Sequence, residues 1–143
     1  MPDQLARVIS ASLGTRVAWF LARLLLVSAY VVGGVAKLAD WPAAVAEQAH
    51  FGMTPPAFWA NLTITVELVG AGLILSGRLV WLGAGLLGGF TLLAAFVAND
   101  FWNMAGEARF HAANAFFEHL GLVGAFILAA RLAPPRPVIS ADS

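Results

Sequence analysis

The chain has 143 residues, 60% of them hydrophobic and 11% charged, whereas soluble domains run at about 45–50% apolar and about 25% charged, so the composition excludes an ordinary soluble domain and implies a membrane protein. Eight basic and eight acidic residues leave no net charge, and no basic run exists to follow a phosphate backbone, which excludes nucleic acid as a partner. With no cysteine, disulfides, thiol redox chemistry, iron–sulfur ligation and cysteine-based zinc sites are excluded, so electron transfer would require a quinone, a bound cofactor or another subunit.

Residues 1–16 form an amphipathic segment. Leu5, Val8, Ile9 and Leu13 recur at helical spacing opposite Asp3, Gln4, Arg7 and Ser10, the pattern of a short helix lying at a membrane surface; a frayed terminus is the alternative. The segment is too polar to begin a cleavable signal, and the run that follows is too long and has no small-residue cleavage site.

Four apolar runs, residues 17–37, 58–76, 79–98 and 112–130, reach the roughly 20 residues needed to cross about 30 Å of hydrocarbon. Backbone groups in lipid must be satisfied within the segment, so each run is predicted to be a helix. In the first, Arg23, Tyr30, Gly34 and Lys37 are separated by seven, four and three residues and share one face, which should look into the protein. The connection that follows, LADWPAAVAEQAHFGMTPP, carries Asp40 and Pro42 as a helix start and Gly52 as a stop, and is predicted to form a lid. Glu67 stands in the middle of the second run. The second and third runs are joined only by Ser76, Gly77 and Arg78, short enough to force an antiparallel hairpin, and the fold predicted is an all-α antiparallel four-helix transmembrane bundle with an N-terminal interfacial segment and an outer-face lid.

Gly83, Gly85, Gly88 and Gly89 in the third run, with Gly85 and Gly89 in a GxxxG arrangement, and Gly121 and Gly124 in the fourth are read as sites of close helix approach. Trp41, Phe51, Trp59, Phe101 and Trp102 gather at one membrane surface, as an anchoring belt or as part of the lid. A Pro-rich tail occupies residues 133–143.

Charges at hydrocarbon depth need partners. Arg23 lies about 9 Å, and Glu67 about 13 Å, from the same end of their helices, so the two are expected to form a buried pair; otherwise Arg23 snorkels to the headgroups and Glu67 is protonated. Lys37, at the outer end of its helix, leans inward and Glu118, about two turns below the same outer surface, leans outward, so these can meet, or both can snorkel to the outer headgroups. His119 lies about 100° round the helix from Glu118, so one of the two should face lipid or a neighbouring subunit. A lone histidine is a weak haem signal, and a single axial ligand to a macrocycle is the alternative. His50, His111, Glu47, Glu107 and Asp100 have no diagnostic metal spacing and read as solvated loop residues, so no metal site is expected.

Arg7, Arg16, Arg78, Arg131 and Arg136 collect on one side and only Lys37 and Arg109 on the other, which predicts both termini in the cytoplasm.

Taken together, Arg23, GGVAKL (residues 33–38), GMTPP (52–56), ELVGAGLILSG (67–77), FWN (101–103) and FFEHLGLVGAFILAA (116–130) resemble the DoxX family of small four-helix bacterial and archaeal membrane proteins, over residues 17–132. The chain departs from that pattern at Glu118 and His119, where many members carry Lys and Asn, at Ala125 in place of a second glycine, and at Asn99 and Asp100 before the FW pair. The resemblance implies kinship with the large subunit of a thiosulfate:quinone oxidoreductase, a bacterial inner-membrane location, and a role as a small subunit of an oxidoreductase complex in contact with the lipid bilayer and other membrane subunits. It further implies an outer pocket near Lys37, Glu118, His119, Trp102 and Trp41 that admits a quinone headgroup or a sulfur species. A structural accessory subunit without chemistry of its own is the competing reading, and a small-solute or lipid carrier is disfavoured because no pair of helices is broken by Gly or Pro.

Overall fold

The structure is a computed structural model describing residues 2–133; the tail from residue 134 onward, with Arg136, lies outside the described residues. The described residues form α1 (Pro2–Leu13), α2 (Arg16–Ala39), α3 (Trp41–His50), α4 (Pro56–Ser76), α5 (Val80–Ala98), a single 3-10 turn (Phe101–Asn103) and α6 (Gly106–Leu132), with no strand among them. Four of these helices, α2, α4, α5 and α6, are long and apolar enough to cross a membrane.

Local chemistry sets the helix ends. Thr15 accepts the Ala18 amide at 3.1 Å and starts α2. α2 then passes into α3 across Asp40 alone, whose side chain accepts the Ala43 amide at 3.1 Å beside Pro42 in the first turn. Gly52, at φ +72°, turns the chain back after α3. α3 packs on α4 and buries Ala44 and Gln48, so the predicted lid is a helix laid across one end of the bundle, the α3 end. At the opposite, hairpin end, Gly77 leaves α4 at φ +70° with its amide 3.1 Å from the Ile74 carbonyl, and α5 begins three residues later.

Helix order in space follows order in sequence: α2 packs on α4, α4 on α5 and α5 on α6, while α2 and α6 approach only loosely. Val27, Tyr30, Ala71, Ile74, Leu87 and Phe126 form the core. Leu25, Val32, Leu93, Phe117 and Leu128 are exposed and present an apolar girdle to lipid.

Close helix contact falls on glycines other than the GxxxG pair. A methyl at Gly83 would stand 2.6 Å from the Gly70 carbonyl oxygen, and one at Gly34 would stand 2.7 Å from the Leu68 side chain, whereas Gly85, Gly89, Gly121 and Gly124 have nothing within 4 Å. The expectation that Gly85 and Gly89 mark the contact is therefore corrected: Gly83 and Leu87, one turn apart, occupy the face toward α4, and Gly85 and Gly89 lie on the far side. Because backbone cannot yield as a side chain does, Gly83→Ala is expected to destabilise the protein by about 1–3 kcal/mol. Gly85→Ala should leave the thermal midpoint in detergent unchanged, and equal midpoints for the two variants would contradict the assignment.

Candidate functional site

The polar centre joins Lys37 to Glu67. Lys37 Nζ lies 3.1 Å from Glu67 Oε1 and 3.3 Å from Oε2, with 18% and 6% of the two side chains exposed. The expected Arg23–Glu67 pair is thereby corrected. Side chains lean toward the start of their own helix: Arg23 therefore points from α2 toward the hairpin end, while Glu67 points from α4 toward the α3 end, so the two diverge. Lys37, near the finish of α2, leans back toward the middle of the bundle and meets Glu67. The Arg23 guanidinium instead rests against Gly77, with Nη1 only 2.6 Å from where a methyl would stand. Gly33 leaves room for the ion pair, since its missing methyl would be 3.5 Å from Lys37 Nζ and 3.6 Å from both Glu67 oxygens.

One layer toward the hairpin end, Tyr30 bonds Thr91 across the bundle at 2.5 Å, and Thr91 donates to the Leu87 carbonyl at 2.6 Å. A hydroxyl has one proton, so Tyr30 is the donor to Thr91. Edge contacts with Phe126 at 5.6 Å and Phe90 at 6.4 Å hold the tyrosine ring.

Above this floor lies a cavity of about 490 Å³ enclosed by all four spans and by α3. Its polar groups are Lys37, Glu67, Thr63, Gln48, Glu47 and His119, and its apolar walls include Phe90, Ala94 and Trp59. Ala29, Leu62, Leu93 and Val97 both line the cavity and are exposed, so it opens through the sides of the bundle, where lipid would be. Glu47, Gln48, Phe51 and Met53 close the α3 end.

The sequence-predicted outer-pocket residues separate into two groups. Lys37 and His119 line the cavity; His119 Nδ1 is 2.7 Å from the Ala115 carbonyl, and because a carbonyl only accepts, Nδ1 carries the hydrogen and the other ring nitrogen is left for a ligand. Glu118 is exposed on the outer side of α6 and does not pair with Lys37, whose charge Glu67 already occupies. Trp102 packs on Phe96, Phe101 and Phe116, and the Trp41 indole donates to Asn61 at 3.3 Å; neither lines the cavity, and both belong to the aromatic layer at the α3 end. His111 lies 3.5 Å from Glu107, both exposed. Thr91, Thr63 and Gln48 escaped the sequence reading, although a hydroxyl or amide on the buried flank of an otherwise apolar helix is the signal that marks them.

The DoxX family profile matches residues 18–100, more than half of the chain. The chain belongs to the DoxX family. Within that family assignment, this DoxX chain is 27% identical over 114 residues to the inner membrane protein YphA of Escherichia coli (strain K12), an alignment covering 80% of the chain and 81% of the relative. No solved structure matches it. The family match begins just before the Arg23 stripe and ends after α5, so it contains Tyr30, Lys37, Glu67 and Thr91. The cavity residues of α6 lie beyond it.

Proposed function

We propose that this DoxX protein is a quinone-binding subunit of an oxidoreductase complex in a bacterial inner membrane, with both termini cytoplasmic. The observation that carries the reading is the side-opening cavity in which an apolar volume meets a few convergent polar groups around Lys37 and Glu67, the usual composition of a site for an apolar ring with a polar edge. Lys37 has three donor hydrogens and spends its shortest contacts on the two Glu67 oxygens, leaving one for a quinone carbonyl. His119, through the ring nitrogen not bonded to Ala115, and Glu67 are placed to accept protons from quinol hydroxyls. Phe90, Ala94 and Leu93 suit the ring and the first part of an isoprenoid chain. A bound quinone would supply the two-electron couple; the residues of this chain orient it, exclude water and take up the quinol's protons, and another subunit would accept its two electrons. A small sulfur anion fits less well, because the membrane-depth cation in the cavity is already neutralised by Glu67.

The orientation is supported by Arg16, Arg78 and Arg131, which lie at the hairpin end of the antiparallel topology, and the location by the inner-membrane relative. Trp59 lines the cavity and provides the test. Titrating the purified protein with a short-chain ubiquinone or menaquinone analogue should quench tryptophan fluorescence saturably. Ala94→Trp, which fills the space, should weaken apparent affinity at least tenfold without lowering the thermal midpoint. Linear, unsaturable quenching, or identical titrations for the two proteins, would refute the proposal.

A further inference from the structure

On the opposite flank from the core, α6 carries Asn114, Glu118, Gly121, Ala125 and Leu128 at spacings of four, three, four and three residues, a continuous seam down one helix face. Asn114, Glu118, Gly121 and Leu128 are exposed, no hydrogen bond or ion pair within the described residues involves Glu118, and Gly121 meets open space. A carboxylate on the lipid side of a span is costly to leave alone, and a glycine one turn below it lets another backbone come close. The face adjoins the cavity, because Leu122, one turn from Glu118 and about 40° round the helix toward the core, lines it.

We propose that this face of α6 is the docking site for a transmembrane helix of a different membrane protein, and that the incoming helix presents a Lys or Arg to Glu118. Charge decides the occupant. Within this chain the intramembrane cations are committed: Lys37 is bonded to Glu67 and Arg23 rests at the hairpin end against Gly77. A second copy brought face to face would set Glu118 against Glu118. Its Arg109 would lie nine residues higher, about 13 Å away along the helix, and its His119 is turned into its own cavity. The cation must therefore come from another polypeptide. This inference rests on the reading of the chain as one subunit of a larger assembly and names the face that joins it.

The experiment is purification of the full chain from its native membrane in mild detergent, with Glu118→Lys and Glu118→Gln in parallel. Wild type should elute with a stoichiometric integral membrane protein. Glu118→Lys should lower recovery of that protein at least tenfold, and reversing one intramembrane Lys or Arg of the partner to Glu should restore it. Glu118→Gln should fall between. Dicyclohexylcarbodiimide should label Glu118 in the isolated chain and not in the assembled complex. Elution of wild type as a monomer or homodimer, retention of the partner by Glu118→Lys, failure of every partner charge reversal to rescue, or equal carbodiimide labelling in both states would each overturn the proposal. Should Glu118→Lys fail to insert, Gly121→Leu blocks the same face without a charge and must give the same loss. Quinone titration of the Glu118 variants reports on the cavity alone, so a failure of docking and a failure of the quinone reading are separable.

Discussion

Replacing Lys37 with methionine is expected to destabilise the protein by about 3–5 kcal/mol, because it strands the Glu67 carboxylate, only 6% exposed, without its cation. Glu67→Leu should cost less, since the orphaned ammonium is the more exposed member of the pair and retains partial access to the aqueous edge. The informative protein is the double variant Lys37→Met/Glu67→Leu: a buried pair exchanged for apolar residues of similar volume is often neutral or stabilising, so much of the loss should be recovered. Thermal melting of all four proteins in one detergent measures the coupling. Losses that simply add, or single variants as stable as wild type, would show that the pair is not a unit. The same variants bear on binding, since the double variant should fold and yet lose saturable quinone quenching.

Phe126→Ala is the second large expected effect. The ring is 1% exposed, packs edge-on to Tyr30 at 5.6 Å and lies over Gly88, and it supplies the one ring contact between α6 and α2. Truncating a buried phenylalanine costs about 3–5 kcal/mol in water-soluble cores; in a bilayer, where lipid is as apolar as the protein interior, the void and lost contacts remain while much of the transfer contribution is absent, so about 3 kcal/mol is expected. Ile127→Ala, at a side chain 60% exposed, should change the midpoint little. Because Phe126 braces the tyrosine that floors the cavity, quinone affinity should fall in Phe126→Ala and stay unchanged in Ile127→Ala. A Phe126→Ala protein with an unaltered midpoint would show that the α2–α6 contact contributes little.

The spans were legible in the sequence for a simple physical reason: hydrocarbon leaves the backbone no partners but its own, so length and apolarity settle the secondary structure. The hairpin at Gly77 and the helix across the α3 end were equally readable, from a three-residue connection and from Asp40, Pro42 and Gly52. Pairing was harder. Depth along the helix axis put Arg23 near Glu67, but the direction in which each side chain leans separates them and brings Lys37 to Glu67 instead. The GxxxG spacing of Gly85 and Gly89 marked small residues without telling which neighbour they faced, and the contacts fell on Gly70 and Gly83. Thr91 was invisible to a search for charges, because a single hydroxyl in an apolar helix acquires meaning only when Tyr30 is placed opposite.

The way α2 joins α3 decides how anything reaches Glu67. One residue, Asp40, separates the two helices, and Trp41 at the head of α3 is tied to Asn61 of α4, so for the cap to swing aside it must break that bond and flex the chain at Asp40. Among the described residues, the sidewalls at Leu62 and Leu93 carry no such tie. A ligand of the proposed site would therefore arrive as a solute of the lipid phase, and its occupancy would follow its mole fraction there: adding phospholipid at constant ligand should empty the cavity, whereas doubling the buffer volume around a strongly partitioned compound should leave occupancy as it was.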